Sequence, residues 1–360
     1  MKDEFLHGLD AVLNPCSVAV IGASSGFGKW GQLILSNIVA GGFEGQIYPV
    51  NPRERSLCGL PVYENVEKIP GHVDLVFITT PADTVPEILK SCARKGIRGA
   101  VVITSGFSEI GMPGKDLEGR VASICRENGI TLVGPNTMGI IRPHAKLFAT
   151  GSHTRPAKGP VAFISQSGNL GNQLIHWAQQ QGIGVSAFLG SGNEAMLGCA
   201  EYLESLKDDP FTKIIILYLE SVGNGRRFLK VSRGVNRSKP IVVLKGGRTD
   251  AGRSAAVSHT GAMMGETSVF SSACRQAGIL EAMVPSKLLA LSAGFSALPL
   301  PKGNRVGIVT LGGGWGVVTA DACNEQGLVV PQIPGRIVEA IDRYLPPFWS
   351  RGNPVDLVGT

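Results

Sequence analysis

Largely apolar runs that end in a small-residue turn recur along this chain, and a helical pattern follows each one. Residues 17–21, Ser-Val-Ala-Val-Ile, run into Gly22. Residues 159–165, Gly-Pro-Val-Ala-Phe-Ile-Ser, run into a polar turn that reaches Gly168. Residues 304–310, Asn-Arg-Val-Gly-Ile-Val-Thr, run into Gly312. Runs that are apolar at every position, rather than at alternate ones, predict strands buried on both faces of a parallel sheet. Each of the three reads as the opening β-turn-α unit of a doubly wound α/β fold.

Further strands follow the first run at 45–50, 73–78, 99–103 and 131–134, with helical stretches at 85–95 and 117–128 between them. This predicts a five-strand domain over residues 1–152. Lys158-Gly159-Pro160 reads as a linker into a second domain, 158–300, with strands at 185–189, 213–219 and 240–244. The third segment, 303–360, offers one clear strand and one helix over 316–326. A single βα unit cannot bury its own apolar faces. The third domain is therefore expected to be incomplete or a docking appendage, and the chain truncated.

Composition narrows the classes. Of 360 residues 43% are apolar, enough for real cores. The net charge is +6 with no block of Lys or Arg, which argues against nucleic acid and suits an anionic small ligand such as a nucleotide or coenzyme A. The seven cysteines are scattered and form no Cys-x-x-Cys pair, so neither a zinc site nor a disulfide framework is expected. There is no signal-peptide pattern and no apolar run of membrane-spanning length. A cytoplasmic protein with no membrane partner and no bound metal is the expectation.

The candidate chemistry sits at the turns. Residues 22–28, Gly-Ala-Ser-Ser-Gly-Phe-Gly, follow a strand and open a helix, where free backbone N–H groups hold phosphate. The spacing is similar to the nucleotide loop of short-chain dehydrogenases. Their Tyr-x-x-x-Lys pair is missing, because Tyr63 and Tyr202 have lysines one step too far along, at Lys68 and Lys207. The second strand ends Val50-Asn51-Pro52-Arg53, without the acid that would hold an NAD ribose. Small polar loops at 79–81, 104–107 and 134–136 belong to the same crevice at the carboxyl ends of the strands. Ser165-Gln166-Ser167-Gly168-Asn169 opens a helix directly after a strand, a place that favours a phosphoryl group. His259 lies among small residues, 254–262, and reads as a loop histidine with its imidazole open to a substrate.

Together these parts resemble the acyl-CoA synthetase (NDP-forming) superfamily, which includes ADP-forming acetate–CoA ligases and the α subunit of succinyl-CoA synthetase. The resemblance covers essentially the whole chain. It implies a Rossmann-like CoA-binding domain followed by flavodoxin-like CoA-ligase domains. It implies CoA contacts at Gly22, Ala23, Ser24, Ser25, Gly26, Ile103, Thr104, Ser105 and Asn136, with Arg53 near a basic CoA contact of the succinate enzyme. Ser258-His259-Thr260-Gly261-Ala262 matches the phosphohistidine loop. Ser167, Gly168 and Asn169 would then face the phosphohistidine, and Glu220, at the end of the strand 214–219, would orient it. Asn172 would line the acyl pocket, although the succinate enzyme has an aromatic residue nearby.

The implied activity is an acid:CoA ligase that works through phosphohistidine and an acyl phosphate, in either direction. ATP or ADP with Mg²⁺ would sit on an ATP-grasp module, either a β subunit or a missing C-terminal domain. Residues 312–316, Gly-Gly-Gly-Trp-Gly, lack the Lys-Ser/Thr ending of a Walker A loop. The substrate would be a small carboxylic acid, and a hetero- or homo-oligomer is expected. Two alternatives stand beside this one: a non-catalytic CoA-binding regulatory module of the kind attached to protein acetyltransferases of the superfamily, and an NAD-dependent dehydrogenase.

Overall fold

A computed structural model describes residues 2–260 and 265–359, with the side chains at 2–7 and 257–260 outside the description. The described chain divides into two compact units, Met1–Leu298 and Pro299–Thr360.

The larger unit holds two sheets. In the first, β1 (Ser17–Ile21), β2 (Gln46–Val50), β3 (Leu75–Ile78), β4 (Gly99–Val102) and β5 (Thr131–Val133) lie in the order β2-β1-β3-β4-β5. Every pairing is parallel, for example Val20 opposite Phe77 and Val76 opposite Ala100. Residues of β1, β3 and β4 are buried throughout, as their continuous apolar runs require. Helix α1 (Lys2–Leu13) lies against β4 and β5, and α2 (Trp30–Ala40), α3 (Val85–Lys95) and α4 (Met112–Glu127) make the crossovers. The strand order reverses about β1 and β3, and in such sheets the crevice beyond that reversal is where ligands bind.

The second sheet contains β6 (Gly139–Arg142), β7 (Leu147–Thr150), β8 (Lys158–Ser165), β9 (Val185–Gly190), β10 (Ile214–Leu219), β11 (Ile241–Lys245) and β12 (Leu280–Ala282), in the order β12-β11-β10-β8-β9-β6-β7. Strands β8 to β12 pair in parallel, and β6 and β7 close the edge as an antiparallel hairpin. Residues 139–150, read with the first domain in the sequence, are therefore hydrogen-bonded into the second sheet. Lys158-Gly159-Pro160 does not form a separate linker but begins β8. The order reverses around β8, so its carboxyl end, Ser165 and the turn after it, is the crevice of this sheet.

Helices α5 (Gly168–Gln180), α6 (Cys199–Lys207), α7 (Gly225–Val235), α8 (Asp250–Thr260), α9 (Thr267–Ala277) and α10 (Pro285–Ala297) cover the second sheet's unit. One buried ion pair ties its parts. Arg142, 2% exposed, bonds Asp209 at 3.1 Å and 3.2 Å, the Leu13 and Ser186 carbonyls, and Asn14. The end of α1, the hairpin, β9 and the loop after α6 are thereby fastened at one point.

The smaller unit has more structure than its sequence pattern predicts. Its strand is shorter than expected, β13 at Val309–Thr310, and pairs in parallel with β14 at Val355–Asp356. Helices α11 (Gly313–Glu325) and α12 (Gly335–Ile341) lie between them. Among the described residues no helix is long and apolar enough to cross a membrane.

Candidate active site

The ends of β3, β4 and β5 in the first sheet and of β8 in the second open on one cleft of about 440 Å³. Thr79, Thr80, Pro81, Ile103, Thr104, Ser105 and residues 136–138 form one wall, and Gln166, Ser167, Gly168 and Asn169 form the other. The loops are pinned to one another. The Thr104 hydroxyl donates to the Thr80 carbonyl at 2.6 Å, and the Asn136 N–H donates to the Thr104 carbonyl at 2.9 Å. Ile103, Thr104, Ser105, Asn136, Ser167, Gly168 and Asn169, all named from the sequence, thus share one cleft.

A second cleft, of about 610 Å³, adjoins the first through Thr80 and Pro81, which line both. Gly22 and Arg53 line this second cleft. Gly22 has φ +88°, the left-handed region that glycine adopts without strain. Helix α2 starts hard against it: a Cβ at Gly31 would lie 1.9 Å from the Gly22 carbonyl oxygen. Helix and turn therefore meet backbone to backbone.

The rest of the glycine turn departs from expectation. Ala23 is fully buried, and its carbonyl accepts from the Asn51 amide at 2.6 Å. The Gly26 N–H donates to the Ser24 hydroxyl at 3.0 Å. The Ser25 hydroxyl and N–H both donate to Glu54, at 2.7 Å and 3.2 Å. These two bonds hold the Glu54 carboxyl below the usual carboxylate range. A carboxylate thus occupies both Ser25 donors, which phosphate was expected to meet, and only these tertiary contacts reveal it.

Ser167 caps α5, its hydroxyl oxygen accepting from the Leu170 N–H at 3.3 Å. That leaves the hydroxyl proton, and the Gly168 and Asn169 N–H groups at the helix start have no intrahelical acceptor. The cleft wall at this point is a cluster of donors on the positive end of a helix, suited to a phosphoryl group. Asn172 lies further along α5, half-buried, and lines neither cleft.

Glu220 follows β10 and is buried at 6% exposure. Its carboxylate accepts from the Tyr218 hydroxyl at 3.2 Å, and its backbone carbonyl accepts from Lys245 Nζ at 2.6 Å. Burial pushes the Lys245 ammonium below its ordinary pKa, with the charge of Glu220 opposing that shift. Glu220 lies behind Gln166 rather than in the cleft wall, since the Gln166 side chain accepts from the Glu220 N–H at 2.6 Å and is itself what lines the cleft.

Position 259 lies on α8, so the segment up to Thr260 is helical where a loop was expected. The His259 side chain lies outside the described residues. Helix α8 itself borders Ser108–Ile110, the turn that follows the Thr104-Ser105 loop of the cleft.

Two partly buried polar residues were not singled out in the sequence. Gln166 was read only as part of a helix start. Glu194, at φ +56°, stands beside Ser191 and Gln166, and burial pushes its carboxyl up to about 7. It lines a further cavity of about 340 Å³ with Glu201, Ser221, Asn224 and Arg227. Only its place directly after the small polar run Ser191-Gly192-Asn193 hinted at it. Among the described residues no group of three or more His, Cys, Asp or Glu is placed to hold a metal ion.

Family models match three stretches of the chain. Residues 16–143 match a CoA binding domain, 158–295 a succinyl-CoA ligase like flavodoxin domain, and 306–360 a Ligase-CoA domain. The chain is 42% identical to the α subunit of an ADP-forming acetate–CoA ligase of Pyrococcus furiosus, over 98% of this chain and 77% of that subunit. The chain belongs to the ADP-forming acyl-CoA synthetase family. A relative from Nitrosopumilus maritimus, an ADP-forming 4-hydroxybutyrate–CoA ligase, is 35% identical over 97% of this chain but only 50% of its own length. Among solved structures, the dinucleotide forming acetyl-coenzyme A synthetase 1 of Ca. Korarchaeum cryptofilum, in complex with phosphate and ADP, superposes with a TM-score of 0.94 at 38% identity, over 98% of this chain and 76% of that one. The chain thus spans about three quarters of the α subunits and half of the longer ligases it matches. Both the α/β architecture and the ligase class agree with the sequence reading, and the dehydrogenase alternative has no counterpart in these relatives.

Proposed function

We propose that this chain carries the CoA-binding and phosphoryl-carrying part of an acid–CoA ligase that forms ADP. The observation that carries this reading is the 440 Å³ cleft, in which loops of the first sheet face the donor-rich start of α5 in the second. CoA is long and anionic. The adjoining 610 Å³ cleft with Arg53 suits its phosphorylated nucleotide end, and the narrower cleft suits the pantetheine arm and thiol. Residues 1–152 act as the CoA domain in this reading, 158–300 as the phosphohistidine domain, and 303–360 as part of a second ligase-type domain.

His259 accepts the γ-phosphoryl group of ATP on a neutral ring nitrogen, and ADP leaves. Glu220 orients the imidazole and stabilises its cation. The Gly168 and Asn169 N–H groups and the Ser167 hydroxyl hold the phosphoryl oxygens. A carboxylate then attacks phosphorus, which frees His259 and gives the acyl phosphate. The CoA thiolate attacks the acyl carbon and inorganic phosphate leaves. The nucleotide and Mg²⁺ belong to an ATP-grasp module, on a partner subunit or on further sequence of the same protein, and the whole assembles as an oligomer. Asn172 contributes to the acyl pocket only if α5 borders the bound acid.

The test is an acid panel. The protein with its ATP-grasp partner is given ATP, Mg²⁺, CoA and acetate, longer alkanoates or aryl acids, and CoA thioester and ADP are measured. Thioester formed in step with ADP, and abolished in His259→Ala, supports the reading. ATP-independent CoA binding with no thioester from any acid, in the presence of a competent partner, contradicts it and favours a non-catalytic module.

A further inference from the structure

Strand β10 ends at Leu219, so Glu220 and Ser221 lie beyond the sheet ladder. Their backbone groups need other partners, because buried N–H and C=O groups are costly when left unpaired. A single side chain supplies most of them. Gln166 Oε1 accepts from the Glu220 N–H at 2.6 Å and from the Ser221 N–H at 3.0 Å, while Gln166 Nε2 donates to the Ser221 carbonyl at 3.0 Å. The Gln166 backbone N–H donates to the Tyr218 carbonyl at 3.2 Å. Lys245 takes the Glu220 carbonyl from the other side. The main chain of Glu220 is gripped at both its N–H and its C=O, each time by a side chain.

This side chain also belongs to the cleft. Gln166 lines the 440 Å³ space next to Ser167, Gly168 and Asn169. From the geometry we infer that Gln166 is a positioning residue for phosphoryl transfer: it fixes the Glu220 carboxylate relative to the donors at the start of α5. The inference rests on the reading of Glu220 as the group that orients His259.

The amide is the right chemistry for this place. It must accept from two N–H groups and donate to one C=O, which a carboxylate cannot do. A glutamate there would also set a negative charge beside Glu194, the carboxyl that neighbours Gln166. Methionine keeps the length and volume of glutamine and removes all three bonds. A misplacement of about 1 Å in a reacting group costs on the order of 100-fold in rate, so loss of the grip shows in turnover rather than in CoA affinity.

The test uses the protein with its ATP-grasp partner. For wild type, Gln166→Met, Glu220→Gln and the double variant, CoA affinity is measured by calorimetry, and the single-turnover rate of phosphorylation from labelled ATP is followed. Gln166→Met is expected to bind CoA within about threefold of wild type and to lose about 100-fold in phosphorylation rate. The double variant is expected to be no slower than Glu220→Gln alone, because Gln166 acts through Glu220. A Gln166→Met rate within threefold of wild type overturns the inference, and so do fully additive losses in the double variant. Should Gln166→Met not fold, Gln166→Leu also removes all three bonds and is held to the same criteria. Wild-type protein that takes no label would bring down the ligase reading itself, a result distinct from any of these.

Discussion

Replacing Glu194 by Gln should stabilise the protein above neutral pH and leave it unchanged in acid. Burial is the chief cause that raises this carboxyl from an ordinary 4.5 to about 7; the neighbouring Ser191 and Gln166 side chains oppose the rise, and the charge of Glu201 adds to it. Each pKa unit is worth about 1.4 kcal/mol, so the ionised form costs the folded state about 3 kcal/mol. The unfolded chain ionises at the ordinary value. Between the two pKa values the folded state therefore binds more protons than the unfolded one, and stability falls as pH rises through that window. Below it the carboxyl is neutral in both states and nothing is lost. Glutamine is neutral at every pH, keeps the volume, and pays a similar backbone strain at φ +56°.

Urea unfolding of wild type and Glu194→Gln across this range measures the effect. The other titrating groups are common to both proteins and cancel in the difference. The variant should match wild type near pH 4 and be about 3 kcal/mol more stable near pH 8, with the gap opening between about 5 and 7. In thermal melts that is a rise of about 5 °C if Met1–Leu298 melts as one unit. A difference that does not vary with pH, or a variant less stable at pH 8, would refute the assignment of a desolvated carboxyl.

Gly31→Ala would ordinarily favour a helix, yet its Cβ would sit 1.9 Å from the Gly22 carbonyl. The substitution should cost about 1–3 kcal/mol and weaken CoA binding, read by denaturation and calorimetry. Arg142→Met leaves Asp209 buried without its partner. A loss of about 3–5 kcal/mol is expected in urea. Burial works to raise the Asp209 carboxyl, but its bonds to Arg142 and Thr212 prevail and hold it below the usual range. Wild type should therefore lose this contribution as pH falls, and the loss should be absent in Arg142→Met. Thiol titration of native protein should count Cys16 and Cys58, which are exposed, and miss the five buried cysteines until denaturant is added. Among those five, burial pushes the Cys92, Cys125 and Cys274 thiols up to about 12.

Much of the scaffold was legible because the physics is local. Apart from a polar first residue in β1, β2 and β5, the strands of the first sheet are apolar throughout and each ends in a turn, so their type and order in the chain followed from the residues alone. Crevice residues such as Thr104 and Ser167 were legible for the same reason, since the carboxyl end of a strand is a position in sequence as well as in space. The hairpin at 139–150 was not, because its strand β6 pairs with β9, some forty-odd residues away. Helix α8 was read as a loop because its small residues, Ala255-Ala256 among Ser and Gly, carry no clear apolar stripe. Gln166 and Glu54 owe their interest to partners distant in sequence, and Glu194 owes its own to burial. No spacing rule places Glu54 on Ser25 or Gln166 on Glu220.

The central claim is that residue 259 carries a phosphoryl group between two reaction centres. The most direct measurement is to incubate the protein and its ATP-grasp partner with acyl-CoA and labelled inorganic phosphate, then map the label by mass spectrometry. The account predicts an acid-labile, base-stable label on His259, absent in His259→Ala and discharged by ADP with formation of ATP. Turnover without any label, or a label that persists in His259→Ala, would contradict it.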